Sequence, residues 1–158
     1  MKITVISPGK IKEKFFTEAV LEYAKRISRF AELEIIEVKD EKTPENASQK
    51  ENAQILEKEG SAILAKIPKN AFVIAMCIEG TELSSTGLSG KLDEIKQQNS
   101  HITFIIGGSL GLSDAVKSAS DMLLSFGKIT FPHQLMRVVL LEQLYRAFKI
   151  SAGEAYHK

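Results

Sequence analysis

In this 158-residue chain, the side chains best suited to bind a ligand or to take part in catalysis lie near the C-terminal end. His133 and Arg137 are four residues apart and share one face at the start of a helical segment, where backbone amides also favour an anion. The last three residues, Tyr156, His157 and Lys158, place an aromatic ring, an imidazole and an ammonium side by side. Such a set can stack on a nucleic-acid base and contact phosphate. The alternatives are a capping role for the first pair and a frayed end for the tail.

A charged stripe follows on the same helical segment. Glu142, Arg146 and Lys149 are spaced for i,i+4 and i,i+3 contacts and lie about 180° around the helix from His133 and Arg137. An ion-paired face in contact with solvent is the simplest interpretation of this spacing.

Charge is distributed unevenly, although the net charge is only +1. Residues 128–158 carry five basic and two acidic side chains, whereas residues 32–59 are strongly acidic. Lys10, Lys12 and Lys14 form a second basic cluster. The asymmetry permits an anionic ligand near the C-terminal region, because the local field matters more than the net charge. On charge alone, ordinary solvated faces explain the pattern equally well.

Length and composition are typical of one globular domain, which we place at residues 1–158. The single cysteine, Cys77, excludes an intrachain disulfide, and its apolar neighbours indicate an inert buried thiol. No run approaches the ~20 apolar residues of a membrane span, and no signal peptide is visible, so we expect a cytoplasmic protein without membrane contact. His101, His133 and His157 lack the spacing of a metal site, and no metal is expected.

Strand-like and helix-like patterns alternate along the chain, which predicts an α/β fold with a mainly parallel sheet and helices on both faces. The predicted strands are residues 2–7, 33–38, 72–78, 102–108 and 122–126. The predicted helices are residues 13–30, 46–66, 84–99 and a final helix, residues 132–152, that starts at Pro132 and ends before Gly153.

The final helix is apolar around most of its circumference. Residues 138–141 are four consecutive large apolar residues, which cover about 300° of a helix. One sheet cannot cover that arc. We therefore expect a homodimer in which helix 132–152 packs against a second copy of the chain.

Three connections follow predicted strands and are rich in Gly, Ser and Thr: residues 77–85, 106–113 and 125–133. In an open α/β sheet, ligands bind beyond the carboxyl ends of the strands. The run Gly107-Gly108-Ser109-Leu110-Gly111 does not match a dinucleotide fingerprint, because its glycine spacing differs and it follows the fourth predicted strand. A ligand site at the three loops is one interpretation of these glycines, and a tight turn is the other.

Three segments resemble one known family: IIGGSLG (105–111), LSFGKITFPHQLMRVVLLEQLYRAFKI (124–150) and GEAYHK (153–158). They are similar to SPOUT-class RNA methyltransferases, most closely to the RlmH family, which methylates N3 of a pseudouridine in large-subunit (23S) ribosomal RNA. The resemblance implies a deep trefoil knot in the C-terminal part of the sheet, S-adenosylmethionine bound at the three loops, and a homodimer. It also implies that the C-terminal tail completes the active site, that of the partner chain.

The resemblance further implies roles for particular residues. Cofactor binding is expected at Met76, Gly107, Gly108, Phe126, Gly127, Lys128, Ile129, Thr130 and Phe131. His157 is the first candidate for contact with the reacting base, Tyr156 for stacking or hydrogen bonding, and His133 and Glu142 are further catalytic candidates. RNA contacts are expected at Arg137, Arg146, Lys149 and Lys158. The modest net charge favours a substrate assembled in a large subunit or a whole ribosome over naked RNA.

The sequence departs from the family pattern at four positions: Cys77, Thr81, Thr86 and Ala155. The family more often has an acid, a lysine, a glutamate and a proline there, so the departures concern the loop at 77–86 and the tail. Two other classes are considered beside the methyltransferase. One is a non-catalytic RNA-binding module that uses the basic C-terminal region. The other is a nucleotide-dependent oxidoreductase, which the poor glycine match disfavours.

Overall fold

The computed structural model describes residues 1–156, which form ten elements in alternating order. The strands are β1 (Lys2–Pro8), β2 (Glu32–Val38), β3 (Phe72–Glu82), β4 (His101–Ile106) and β5 (Met122–Ser125). The helices are α1 (Lys14–Ile27), α2 (Gln49–Leu64), α3 (Ser85–Lys96), α4 (Asp114–Ser118) and α5 (His133–Ser151). The strands form one sheet in the order β2-β1-β4-β3-β5, and every pairing is parallel. The predicted α/β fold with a parallel sheet is confirmed.

The helices lie in two layers because the central strands are apolar on both faces. One layer, α1, α3 and α5, covers a core that contains Ile3, Phe104 and Leu124. The other, α2 and α4, covers Ile6 and Ile105. All five of these side chains are completely buried or nearly so. The carboxyl ends of β1, β3, β4 and β5 therefore meet at one edge, held from both sides.

Helix α5 lies between α1 and α3 on its face of the sheet. Its Leu140, Leu141 and Leu144 are fully buried within a single chain. From the sequence, a second copy of the chain was expected to cover the surface of α5 that the sheet does not. In the structure, α1 and α3 cover a large part of that surface. The outer face keeps partly exposed apolar side chains, among them Val138 and Val139. Only this outer face is left for a second copy.

Two features of the fold differ from the predicted elements. Helix α4 has five residues, capped by Ser113, and is too short to show helical periodicity in the sequence. Strand β3 continues to Glu82, beyond the predicted end at residue 78. Met76 and Thr81 both align with Leu124 of β5, so residues 77–80 form an excursion between two stretches of pairing.

Candidate active site

A cavity of 470 Å³ opens at the carboxyl edge of the sheet, between the ends of β3, β4 and β5 and the start of α5. Its walls come from the three loops that the sequence singles out. Eight of the nine residues predicted to bind the cofactor line it: Met76, Gly107, Gly108, Phe126, Gly127, Ile129, Thr130 and Phe131. Lys128 is the predicted residue that does not line this cavity. His133, at the first turn of α5, lines it as well.

The glycines of the β4–α4 loop are required by close approach of the backbone. A Cβ on Gly107 would lie 2.6 Å from the carbonyl carbon of Gly111, closer than real contacts allow. A Cβ on Gly108 would lie 2.8 Å from a carboxylate oxygen of the buried Glu59. Gly111 itself has a φ of +81°, a backbone conformation that residues with a side chain rarely adopt. The glycines thus form a tight turn that is also part of the cavity wall.

Ser125, at the end of β5, ties two of the loops together. Its buried hydroxyl accepts the N–H of Gly127 at 3.1 Å. The hydroxyl proton is within reach of the carbonyl oxygens of Ile78, at 3.3 Å, and Gly127, at 3.2 Å. Gly127 takes a φ of +104°, which turns the chain from β5 toward α5. The cavity wall at residues 77–80 is thereby fixed to the wall at residues 126–131.

Arg137 is completely buried beneath the first turn of α5. Its Nη1 donates to Glu37 at 2.8 Å, and its Nη2 donates to the carbonyl oxygens of Pro8 at 3.0 Å and Gly9 at 2.5 Å. The guanidinium thus joins α5 to the ends of β1 and β2. Because it has no exposed surface to offer to an RNA phosphate, the predicted RNA-binding role of Arg137 is replaced by a structural one.

Arg137 determines which tautomer His133 adopts. The Nη2 of Arg137 lies 3.2 Å from Nδ1 of His133. A guanidinium has only donors, so Nδ1 accepts and the proton of the neutral ring is on Nε2. Burial, and then the charge of Arg137, lowers the pKa of His133 below its ordinary value of 6.5. His133 therefore enters the site as a neutral hydrogen-bond donor.

The C-terminal segment is folded back on its own chain as far as Tyr156. Tyr156 donates from its hydroxyl to Glu142 at 3.2 Å and packs edge-on against Tyr145. Arg146 lies over the Tyr156 ring at 4.7 Å and pairs with Glu142 at 2.6 Å. Burial, and then the charge of Glu142, raises the pKa of Tyr156. Tyr156 is thus a protonated donor, and Glu142 is already occupied as an acceptor.

Glu154 anchors the start of this tail. Its carboxylate accepts two hydrogen bonds from Arg29, which follows α1, at 2.5 and 3.1 Å, and pairs with Lys149 of α5. Gly153, with a φ of +66°, ends the helix so that the Glu154 N–H donates to the Lys149 carbonyl at 2.9 Å. The ion-paired stripe is therefore present, with Arg146 and Lys149 as its cations. His157 and Lys158 lie outside the described residues.

One chain does not bring all the predicted catalytic residues together. His133 lines the cavity, whereas Glu142 and Tyr156 do not. Glu142 is nine residues further along α5, which corresponds to roughly 13–14 Å of helix. The cavity and the tail as far as Tyr156 are therefore separate regions of one chain.

Several cavity residues were missed by sequence reasoning. Lys117 of α4 and Glu79 form an ion pair at the cavity wall. Cys77 is half-buried there, and burial raises the pKa of its thiol, which keeps it protonated. Met136 lines the opposite side. Lys117 gave no signal because α4 was not predicted, but Met136 lies four residues from Pro132 and could have been found by helical spacing.

No helix within residues 1–156 is long and apolar enough to cross a membrane. In the same part of the chain, no three His, Cys, Asp or Glu side chains converge in a way that could hold a metal ion.

Comparison with known proteins places this fold and cavity in a class. Residues 1–157 match a family described as predicted SPOUT methyltransferase. A solved methyltransferase of Legionella pneumophila, in complex with the bound cofactor SAM, matches 93% of this chain and 66% of its own length, with a TM-score of 0.53. At 13% identity this likeness concerns the fold alone. The chain belongs to the SPOUT methyltransferase family.

The most informative relatives are similar over their whole length. Ribosomal RNA large subunit methyltransferase H 1 of Clostridium perfringens is 57% identical over 159 residues, with 100% of both chains covered. Ribosomal RNA large subunit methyltransferase H of Bifidobacterium adolescentis is 56% identical with the same coverage. The resemblance inferred from the three C-terminal segments is therefore confirmed, and it extends over the whole chain.

Proposed function

We propose that this methyltransferase transfers a methyl group from S-adenosylmethionine to N3 of a pseudouridine in large-subunit ribosomal RNA. The observation that carries the proposal is the glycine-walled cavity, in which eight of the nine expected cofactor residues meet His133. The names of the full-length relatives support the ribosomal substrate. We propose one domain, residues 1–158, acting in the cytoplasm on a large subunit or a whole ribosome.

The cavity suits S-adenosylmethionine in size and chemistry. Small-molecule sites measure about 300–1,000 Å³, and 470 Å³ lies in that range. Gly107 and Gly108 line the cavity without side chains, so their backbone is open to a ligand. The buried Ser125 holds Gly127 in place at the opposite wall. Apolar surface from Met76 and Phe126 is available for an adenine ring.

We also propose that the C-terminal part of the fold is knotted, as in the family. The excursion at residues 77–80 supports this, because it leaves β3 and returns to pair with β5 a second time. Gly80 lies so close to β5 that a Cβ would be 2.6 Å from the backbone of Leu124. A chain that passes from β5 into α5 beside this excursion is positioned to run through it.

The substrate must lose the proton on N3. Bound S-adenosylmethionine supplies an electrophilic methyl group, so alignment is the main task of the protein. Transfer of the N3 proton to a general base or to water leaves negative charge on the substrate base, and attack on the methyl group then removes that charge. His133, a neutral donor through Nε2, suits the stabilisation of that charge better than proton removal. His157 remains our first candidate for contact with the base.

We propose that the active site is composite and needs a homodimer. The separation of the cavity from Tyr156 in one chain supports this, and so does the partly exposed apolar outer face of α5. Tyr156 is held on that outer face by Glu142 and Arg146, where a partner's α5 can meet it. Tyr156 would stack on or donate to the substrate base, while Arg146, Lys149 and Lys158 would contact RNA phosphate.

Removing residues 155–158 tests the composite site. We expect the truncated chain to lose methylation of ribosomes that lack the modification, because Tyr156 and His157 are deleted. Binding of S-adenosylmethionine in calorimetry and the dimeric state in light scattering should be retained, because the cavity does not include Tyr156 and the apolar outer face of α5 is left intact. Full activity of the truncated chain would overturn the role of the tail. Absence of S-adenosylmethionine binding in the intact chain would instead favour a non-catalytic RNA-binding module.

A further inference from the structure

The connection between β1 and α1 is fastened to the start of α5, beside His133. A Cβ on Gly9 would lie 3.1 Å from Cε1 of His133, and the Gly9 carbonyl accepts from Arg137. The Lys12 N–H donates to the side chain of Gln134 at 3.0 Å. The connection is therefore held at the rim of the candidate site by backbone contacts, which leave its side chains free to point elsewhere.

Those side chains form what we call the basic platform: Lys10, Lys12, Lys14 and Phe15. All four are exposed, and Phe15 has 62% of its surface accessible. The Phe15 ring lies 4.4 Å from that of Phe16, centroid to centroid, so it is supported on one side only. Three lysines close in sequence to an exposed aromatic ring combine the residue types that hold single-stranded nucleic acid.

The platform is unfavourable for the folded chain by itself. The first turn of α1 contains no acidic residue, and it begins with Lys14 and Phe15. Lys14 lies 3.6 Å from Glu18 one turn further on, in a pair between exposed side chains that compensates its charge only weakly. Cations at a helix N-terminus oppose the helix dipole. Glu13 at the cap makes no side-chain hydrogen bond to the helix. An anion at this place would relieve the local excess of positive charge, whereas a protein partner with an apolar face would not.

We propose that the basic platform binds the ribosomal RNA strand that flanks the methylated nucleotide. The lysines contact phosphates, and Phe15 stacks on an unpaired base next to the target. Because the platform is fastened beside His133, it sets how far the target base reaches toward the cavity. This proposal rests on the proposed methylation of ribosomal RNA and adds to it a second contact region, on the opposite end of α5 from the tail.

The test compares two triple variants with the same change in charge. One variant, the platform variant, replaces Lys10, Lys12 and Lys14 by Gln. The other, the control variant, replaces by Gln three lysines that are exposed and lie away from the site, Lys25, Lys66 and Lys69. With ribosomes that lack the modification, the platform variant should raise KM at least about tenfold and leave kcat nearly unchanged. Its affinity for ribosomes should also depend less on salt, with a log–log slope smaller by about 2 to 3. The control should match the unaltered chain.

Phe15→Ala supplies a second measurement, with Leu21→Ala as its control because Leu21 is equally exposed on the same helix. Only Phe15→Ala should raise KM. A photoreactive benzoyl-phenylalanine at position 15 should crosslink to ribosomal RNA. Equal KM for the platform and control variants, or a crosslink to ribosomal protein alone, would overturn the platform.

The results also separate this proposal from the function on which it rests. All variants should bind S-adenosylmethionine with unchanged affinity. If the unaltered chain binds S-adenosylmethionine but methylates no ribosomal RNA, the proposed function fails, and the platform with it. If the unaltered chain is active but the platform variant has the same KM as the control variant, only the platform proposal is wrong.

Discussion

The two ends of α5 carry similar residue types in opposite environments. At its start, Arg137 is fully buried and bonded to the carbonyls of β1, and His133 is held neutral beside it. At its end, Arg146 pairs with Glu142, and Lys149 pairs with Glu154 of the tail; all four side chains are partly buried. The start is built into the sheet, whereas the end is attached by ion pairs closer to the surface.

This difference separates two tasks. Pairs of charges that are removed from water are rigid, but loss of one partner is costly. Pairs that keep contact with water contribute less to stability. The start of α5 is therefore suited to fix the cavity, and the end is suited to position the tail that we propose to act in a partner's site. The following variants probe the difference, in order of expected effect.

Arg137→Ala should have the largest effect. It leaves Glu37 and the carbonyls of Pro8 and Gly9 without their donor, so we expect a loss of about 3–5 kcal/mol in the free energy of unfolding, measured by urea denaturation. Arg146→Ala, the matched change at the other end, removes a partly buried ion pair and a cation–π contact and should cost less, about 1–2 kcal/mol. Equal losses for both variants would erase the distinction between the two ends.

Gly107→Ala should weaken the cavity more than it weakens the fold. Its Cβ would meet the backbone of Gly111 at 2.6 Å, so the loop must shift, at a cost of about 1–3 kcal/mol. We expect affinity for S-adenosylmethionine to fall at least about tenfold in calorimetry, which corresponds to about 1.4 kcal/mol. Gly90→Ala, in α3 with open space around it, should instead stabilise the chain by about 0.5–1 kcal/mol and leave cofactor binding intact.

Glu154→Gln should act on the tail alone. It removes the charge that joins Arg29 and Lys149, so the tail should fray while the sheet and cavity keep their stability. We expect methylation to fall severalfold with an unchanged dissociation constant for S-adenosylmethionine. Glu57→Gln, an exposed change on α2, serves as the control. Unaltered activity in Glu154→Gln would show that the ion pairs do not position the tail.

His133 should produce the smallest effect, visible in the pH dependence of stability. Because its pKa in the fold lies below 6.5, the unfolded chain binds more protons as the pH falls through that value. Its contribution to stability is therefore complete above pH 6.5 and is lost below it, by at most about 1.4 kcal/mol per pH unit. The charges of Asp40 and Glu37 act in the opposite direction but do not cancel the burial. His133→Asn should flatten this part of the profile in chemical denaturation. His101→Asn, at the amino end of the central strand β4, reports the separate effect of a second histidine with a lowered pKa.

The sequence predicted the position of the cavity better than it predicted the environments of the charged residues near it. The glycine-rich loops after β3, β4 and β5 could be placed because parallel strands end at one edge, whatever their order. Lys117 could not be placed, because a five-residue helix leaves no periodic pattern. The burial of Arg137 was also hidden, because its carbonyl partners at residues 8 and 9 are separated from it by more than 120 positions.

What the sequence determined by itself is local: alternation of strands and helices, the apolar circumference of α5, the glycine loops, and the family resemblance carried by its last third. These follow from residue types within a few positions of one another. Only the tertiary structure decided which charged residues are buried, which are paired, and that α1 and α3 share the covering of α5 with the sheet. The reason is physical: the environment of Arg137 or Glu154 depends on desolvation and on partners brought together from distant parts of the chain, and no local pattern records either one.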